Sequence, residues 1–131
     1  MKRTLARYGA VAAVGMSFVL PPAVAQADDD VTRRGSCNGV SKWEFELEKD
    51  DGRIEVEYEV TTRREGHRWR VRIWHDGDRV FKGIRVARRD DDDRPDFEVE
   101  LNRPDRRGTD RFKARAYNTK TGELCRGAAA I

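Results

Sequence analysis

The 131-residue chain is 39% charged and 37% hydrophobic, with 27 basic and 24 acidic residues and a formal net charge of +3. The excess sits at the front: Lys2, Arg3 and Arg7 precede Asp28 with no acid among them, so the remainder carries 24 residues of each sign. A neutral remainder excludes any general argument from basic charge to nucleic acid, and leaves the placement of the charges as the informative quantity.

Residues 1–27 have the layout of a cleaved secretory signal peptide. After the three basic residues, Tyr8 to Leu20 is uncharged and mostly apolar, Pro21 and Pro22 end any helix, and Ala25-Gln26-Ala27 fits the small-x-small cleavage pattern. The apolar run falls short of the ~20 residues that span a bilayer. The expected product is a secreted, extracellular protein with no membrane span. Residues 28–36 read as a flexible N-terminal segment, and 37–131 as one domain.

Within that domain apolar and charged residues alternate. "WEFELE" from Trp43, "IEVEYEV" from Ile54, "WRVRI" from Trp69, "FEVEL" from Phe97 and "FKARA" from Phe112 all repeat with period two, the mark of half-buried strands. Asp51-Gly52, Asp76-Gly77 and Thr121-Gly122 mark hairpin turns, while Pro95 and Pro104 fall outside the runs. Seven strands are predicted near 41–49, 53–61, 67–75, 79–87, 96–101, 110–117 and 123–129. In the fourth, Phe81 and Ile84 can both face inward only across a bulge, for which Gly83 is the natural place. Trp69 and Trp74 have opposite parity, which puts one of them outside the core. The expected fold is all-β, an antiparallel seven-stranded β-sandwich, with a simple meander as the competing topology.

Two cysteines, Cys37 and Cys125, stand at opposite ends of the domain. An even count in an exported chain reads as a disulfide. A loop of that length corresponds to about 4–5 kcal/mol in the chain-entropy picture.

"DRFKARAYN" at 110–118 resembles the sixth strand of immunoglobulin-like domains, D-x-Y-x-C-x-A. Asp110 stands at its matching place, Phe112 replaces the tyrosine, and Ala114 stands where the cysteine would be. "WRVRIW" resembles the third strand with its core tryptophan. The usual inter-sheet cysteine pair is absent, so the resemblance is to an immunoglobulin-like architecture. The stretches "CNGVSKWEFELEKDDGRIEVEYEV", "GHRWRVRIWHDGDRVFKG" and "TGELCRGAAAI" also resemble a group of small uncharacterised secreted actinobacterial proteins, over nearly the whole domain. That resemblance implies an exported, disulfide-closed β-domain and carries no activity with it.

Sorting the outward residues by strand separates the signs. Glu44, Glu46, Glu48, Glu55, Glu57, Glu59, Glu98 and Glu100 lie on the first, second and fifth predicted strands. Arg68, Arg70 and Arg72 lie on the third, and Arg111, Lys113 and Arg115 on the sixth. In an immunoglobulin-like sandwich these groups fall on different sheets. In a meander they meet as cross-strand ion pairs. The two-faced arrangement makes Arg68, Arg70, Arg72, Arg111, Lys113 and Arg115 a candidate anion-binding face, with Trp74 and Tyr117 of the same parity offering stacking surface. Anionic cell-wall polymer, acidic polysaccharide and extracellular nucleic acid are the candidate partners. The plainer reading of the same rows is solvated strand surface. Self-association of acidic on basic face is a further consequence.

Little points to catalysis. His67 and His75 lack a hydrolase or metalloenzyme motif, and no G-x-S-x-G occurs. Asp90 to Asp93 form the sharpest acidic run but lack the spaced calcium-loop pattern. No enzyme, cofactor or metal is expected. A secreted binding or interaction domain is the leading reading. A structural or self-associating envelope protein, or a loop-based enzyme inhibitor presenting Asn102–Thr109, are the alternatives.

Overall fold

The computed structural model describes residues 29–91 and 94–131, so the expected leader lies outside the described residues. Eight strands follow in order: β1 (Asp30–Ser36), β2 (Lys42–Asp50), β3 (Arg53–Thr61), β4 (Arg68–His75), β5 (Asp78–Val86), β6 (Asp96–Pro104), β7 (Arg111–Asn118) and β8 (Leu124–Ala130). They form two antiparallel four-stranded sheets, a first sheet ordered β1-β2-β3-β6 and a second ordered β5-β4-β7-β8. β3 pairs with β6 and not with β4, so the chain changes sheet where a meander would have continued.

Eight strands replace the seven expected. The added one, β1, comes from the segment read as flexible. It pairs with β2 through all seven of its residues, from Asp30↔Glu48 to Ser36↔Lys42. Val31 is its only large apolar residue, so backbone pairing, rather than a hydrophobic pattern, builds it.

Period two has its expected effect elsewhere. Phe45 and Leu47, Ile54 to Val60 at alternate positions, Phe97 and Val99 point inward from the first sheet. Trp69, Val71, Ile73, Phe112, Ala114 and Ala116 meet them from the second, all buried in one core. The packing is sandwich-like: Phe45 lies 5.1 Å from Tyr58 and Trp69 lies 5.5 Å from Phe97, centroid to centroid. Gly127 of β8 sits against the rings of Tyr58, Trp43 and Phe45. A Cβ on Gly127 would lie 2.9 Å from Tyr58 and 3.1 Å from Trp43.

The turns follow their residues. Asp51 and Gly52 have φ of 49° and 75°, and Asp76 and Gly77 of 48° and 87°. Each pair forms a two-residue hairpin loop whose twist matches the strands it joins. The bulge of the fourth predicted strand is elsewhere than expected. Register shifts between Ile73 and Trp74, opposite Val80, and Gly83 pairs regularly with Val71. Ile84 therefore faces outward, 43% exposed. Gly83 is small because the Phe81 ring lies over it, where a Cβ would be 2.8 Å from Cζ.

Cys37 and Cys125 are bonded, which fits an oxidising, extracellular-type environment. The bond joins the turn after β1 to β8, and so links the two sheets at one edge. Around it Ser41 Oγ donates to Glu123 Oε1 at 2.6 Å and Asn38 N–H donates to Leu124 O at 3.0 Å. Among the described residues no helix is long and apolar enough to cross a membrane.

Candidate functional site

The outer face of the second sheet collects cations. Because β4 and β7 are neighbours, Arg72 stands opposite Arg115, Arg70 opposite Tyr117 and Trp74 opposite Lys113. The edge strands extend one of these rows. Lys82 of β5 pairs with Arg72, and Arg126 of β8 pairs with Arg115. Lys82, Arg72, Arg115 and Arg126 thus form a line across all four strands, about 4.8 Å from strand to strand. All four are exposed, and no ion pair among the described residues involves any of them.

Arg70, Arg72, Arg115 and Tyr117 line a shallow niche of about 260 Å³. A longer groove of about 990 Å³ lies beside it, with Trp74, Lys113, Arg126 and Ala128 in its lining together with Trp43 of β2. Guanidinium planes next to half-exposed aromatic faces suit an oxyanion carried on a ring or polyol chain. No carboxylate occupies an outward position on β4, β7 or β8. Asp76 lies at the margin, where its Oδ1 accepts the Arg111 N–H at 2.8 Å.

Of the six residues singled out in the sequence, Arg70, Arg72, Lys113 and Arg115 come together at the centre. Arg68 and Arg111 begin β4 and β7, which run in opposite directions, and so stand at opposite ends of the face. Lys82 and Arg126 were missed. The ambiguous parity of β5 concealed the first, and the alanine-rich run of β8 gave no alternating charge to flag the second.

The first sheet is the counterpart. Glu44, Glu59 and Glu98 line up across β2, β3 and β6, as do Glu46, Glu57 and Glu100, while Glu48 faces Glu55. Like charges directly opposite one another are unfavourable. Hydrogen bonding to Glu100, then desolvation and the neighbouring Glu57, push the Glu98 carboxyl up to about 8. Asp30 raises Glu48, and burial with Asp96 raises Glu59. Arg34 gives partial relief at one edge, 2.6 Å from Glu44.

A second cluster lies at the end of the sandwich. Inward parity on β4 continues through His75, whose ring stacks on Phe112 at 4.3 Å. Its Nε2 lies 2.6 Å from Asp110 Oδ1, with both side chains fully buried. His75, Asp76 and Asp110 offer ligand atoms within 4.8 Å of one another, as do Glu57, Glu98 and Glu100. At His75, however, Nδ1 accepts from Arg103 Nε at 3.4 Å. A metal-bound imidazole uses that nitrogen to donate to an acceptor, so the contact marks a hydrogen-bonded pair. His67 lies just before the other end of β4, its Nδ1 3.0 Å from Asn118 Nδ2, and does not meet His75. Asp90 and Asp91 are exposed, and the rest of the expected acidic run lies outside the described residues. The segment named as an inhibitor loop is mostly tied down. Asn102 to Pro104 belong to β6, and Arg106 lies 3.6 Å from both Asp76 and Asp78.

No protein-family model matches the chain, and no curated protein matches it.

Proposed function

We propose that the protein is a secreted, non-enzymatic binding domain that holds anionic extracellular polymer, cell-wall polymer or acidic polysaccharide, on the outer face of its second sheet. The observation that carries this is the row Lys82–Arg72–Arg115–Arg126, which no ion pair among the described residues engages, with Arg70, Lys113, Trp74 and Tyr117 beside it. Four cations at strand spacing give a repeating anion several contacts at once. The absence of facing carboxylates on β4, β7 and β8 leaves those contacts available to a ligand.

The sheet orders support an immunoglobulin-like topology. β2-β3-β6 correspond to strands A-B-E, and β5-β4-β7-β8 to C′-C-F-G. β1 is an addition outside that pattern. The disulfide and the leader-like residues 1–27 support export, and the resemblance to small secreted actinobacterial proteins points the same way.

The test is retention of the purified protein, disulfide intact, on isolated cell wall and on a heparin-like column at low and high salt. A variant with Arg70, Arg72, Lys113 and Arg115 changed to Ser is run beside it. Retention that salt abolishes and the variant lacks is the expected result. No retention at low salt overturns the proposal.

A further inference from the structure

We infer that copies of this protein associate front to back, the glutamate face of one molecule against the arginine face of the next. This depends on the two faces and not on polymer binding.

Three observations lead to it. First, each face carries rows of like charge that its own sheet does not neutralise. Glu46, Glu57 and Glu100 stand in one line, and Lys82, Arg72, Arg115 and Arg126 in another. Second, the rows are commensurate. Both cross their strands at the inter-strand spacing of about 4.8 Å, so side chains that oppose once oppose again at the next strand. Third, the remainder from Asp28 onward carries 24 residues of each sign. No net charge therefore holds copies apart, while the segregation gives each molecule a strong dipole across its thickness.

The two faces are the opposite outer surfaces of one sandwich, so a molecule cannot satisfy its own charges. Pairing must be intermolecular. It is also heterologous: using one face leaves the other free, and the contact repeats without closing. Crowded carboxylates on the first sheet gain counter-charges, and arginine supplies the planar, bidentate geometry that carboxylates accept.

The experiment is sedimentation velocity over a range of concentrations in about 20 mM and about 500 mM salt, where the Debye length falls from roughly 20 Å to roughly 4 Å. Wild type is expected to form a concentration-dependent series of oligomers in low salt and a monomer in high salt. Two variants decide the geometry. One changes Glu57, Glu98 and Glu100 to Gln. The other changes Arg72, Arg115 and Arg126 to Gln. All six residues lie on outer faces, and circular dichroism with thermal unfolding checks that both variants fold. Each variant alone is expected to be monomeric. Mixed in equal amounts, they should form a one-to-one dimer that grows no further, because each retains one working face. A wild type that stays monomeric in low salt overturns the inference, as does a mixture that remains monomeric or a glutamine variant that still forms the series. The glutamate variant keeps the basic face, so its retention on the polyanion column tests polymer binding separately.

Discussion

His75 and Asp110 share a 2.6 Å hydrogen bond at a point that solvent does not reach. With Nδ1 engaged by Arg103, the ring proton sits on Nε2 and is donated to the Asp110 carboxylate. Asp110 also accepts the Arg106 N–H at 3.3 Å, and its backbone exchanges hydrogen bonds with Ile131. One residue thus joins the end of β4, the loop before β7 and the last residue of the chain. Asp110→Ala removes a charge-assisted bond and leaves the buried imidazole N–H only the longer 3.5 Å approach to Asp76 Oδ2. The expected loss is about 2–3 kcal/mol in urea denaturation. A loss below about 1 kcal/mol would show that the pair does no more than an exposed contact.

Acidic rows on the first sheet set the pH dependence of stability. Glu98 is raised from 4.5 to about 8 by Glu100, burial and Glu57, and Glu48 and Glu59 move in the same direction. A carboxyl whose folded value is raised binds its proton more tightly in the folded state. Its contribution is full below the unfolded value and is lost as pH climbs through the folded one. Thermal unfolding in low salt should therefore show a midpoint that falls between pH 5 and pH 8. Glu98→Gln, which removes the group that titrates highest, should flatten that fall and raise the midpoint at pH 8. A variant profile parallel to wild type would contradict the assignment.

Gly127 faces the aromatic side of the first sheet, and the space above it is already filled by Tyr58, Trp43 and Phe45. Gly127→Ala places a methyl group 2.9 Å from the Tyr58 ring and 3.1 Å from Trp43. Ordinarily alanine is preferred to glycine in a strand. Here overpacking dominates, and a loss of about 1–3 kcal/mol is expected from chemical denaturation. A stabilised variant would mean that the rings can move aside at little cost.

Alternation made most of this fold readable, and its interruptions mark where reading stopped. "IEVEYEV" and "WRVRI" fixed both the strands and the faces of β3 and β4, because a half-buried strand allows its side chains only two directions. β1 has no such alternation, since backbone pairing to β2 leaves no trace in side-chain type. In β5 the single extra residue Val80 inverts the parity of everything beyond it, so Lys82 could not be assigned to the basic face from sequence. Separation of the charges onto two faces required knowing that β3 pairs with β6. Pairing partners distant in the chain are a tertiary fact, one that strand patterns alone leave open between sandwich and meander. His75 stands beside a turn, and its parity with Trp69, Val71 and Ile73 is the signal in the sequence that it points inward.

The disulfide links the sheets where their backbones share few other bonds. Cys37 follows β1 and Cys125 lies in β8, at a sequence separation of 88. Closing so long a loop restricts the unfolded chain strongly, by about 4–5 kcal/mol in the chain-entropy picture and about 2–5 kcal/mol in typical measurements. Polar contacts reinforce the same corner. Glu123 accepts both the Ser41 hydroxyl and the Ser41 N–H, at 2.6 and 2.9 Å, and Leu124 N–H donates to Asn38 Oδ1 at 2.8 Å. These bonds belong to the folded state and survive loss of the sulfur bridge. The double variant Cys37→Ala/Cys125→Ala should accordingly still fold, with stability reduced by about 3–4 kcal/mol. Hydrogen exchange should accelerate first in β1, which is paired on one side only and anchored by Val31 and the bridge. Retained protection in β1 with a stability loss below about 1 kcal/mol would show that the Glu123 contacts alone hold the corner.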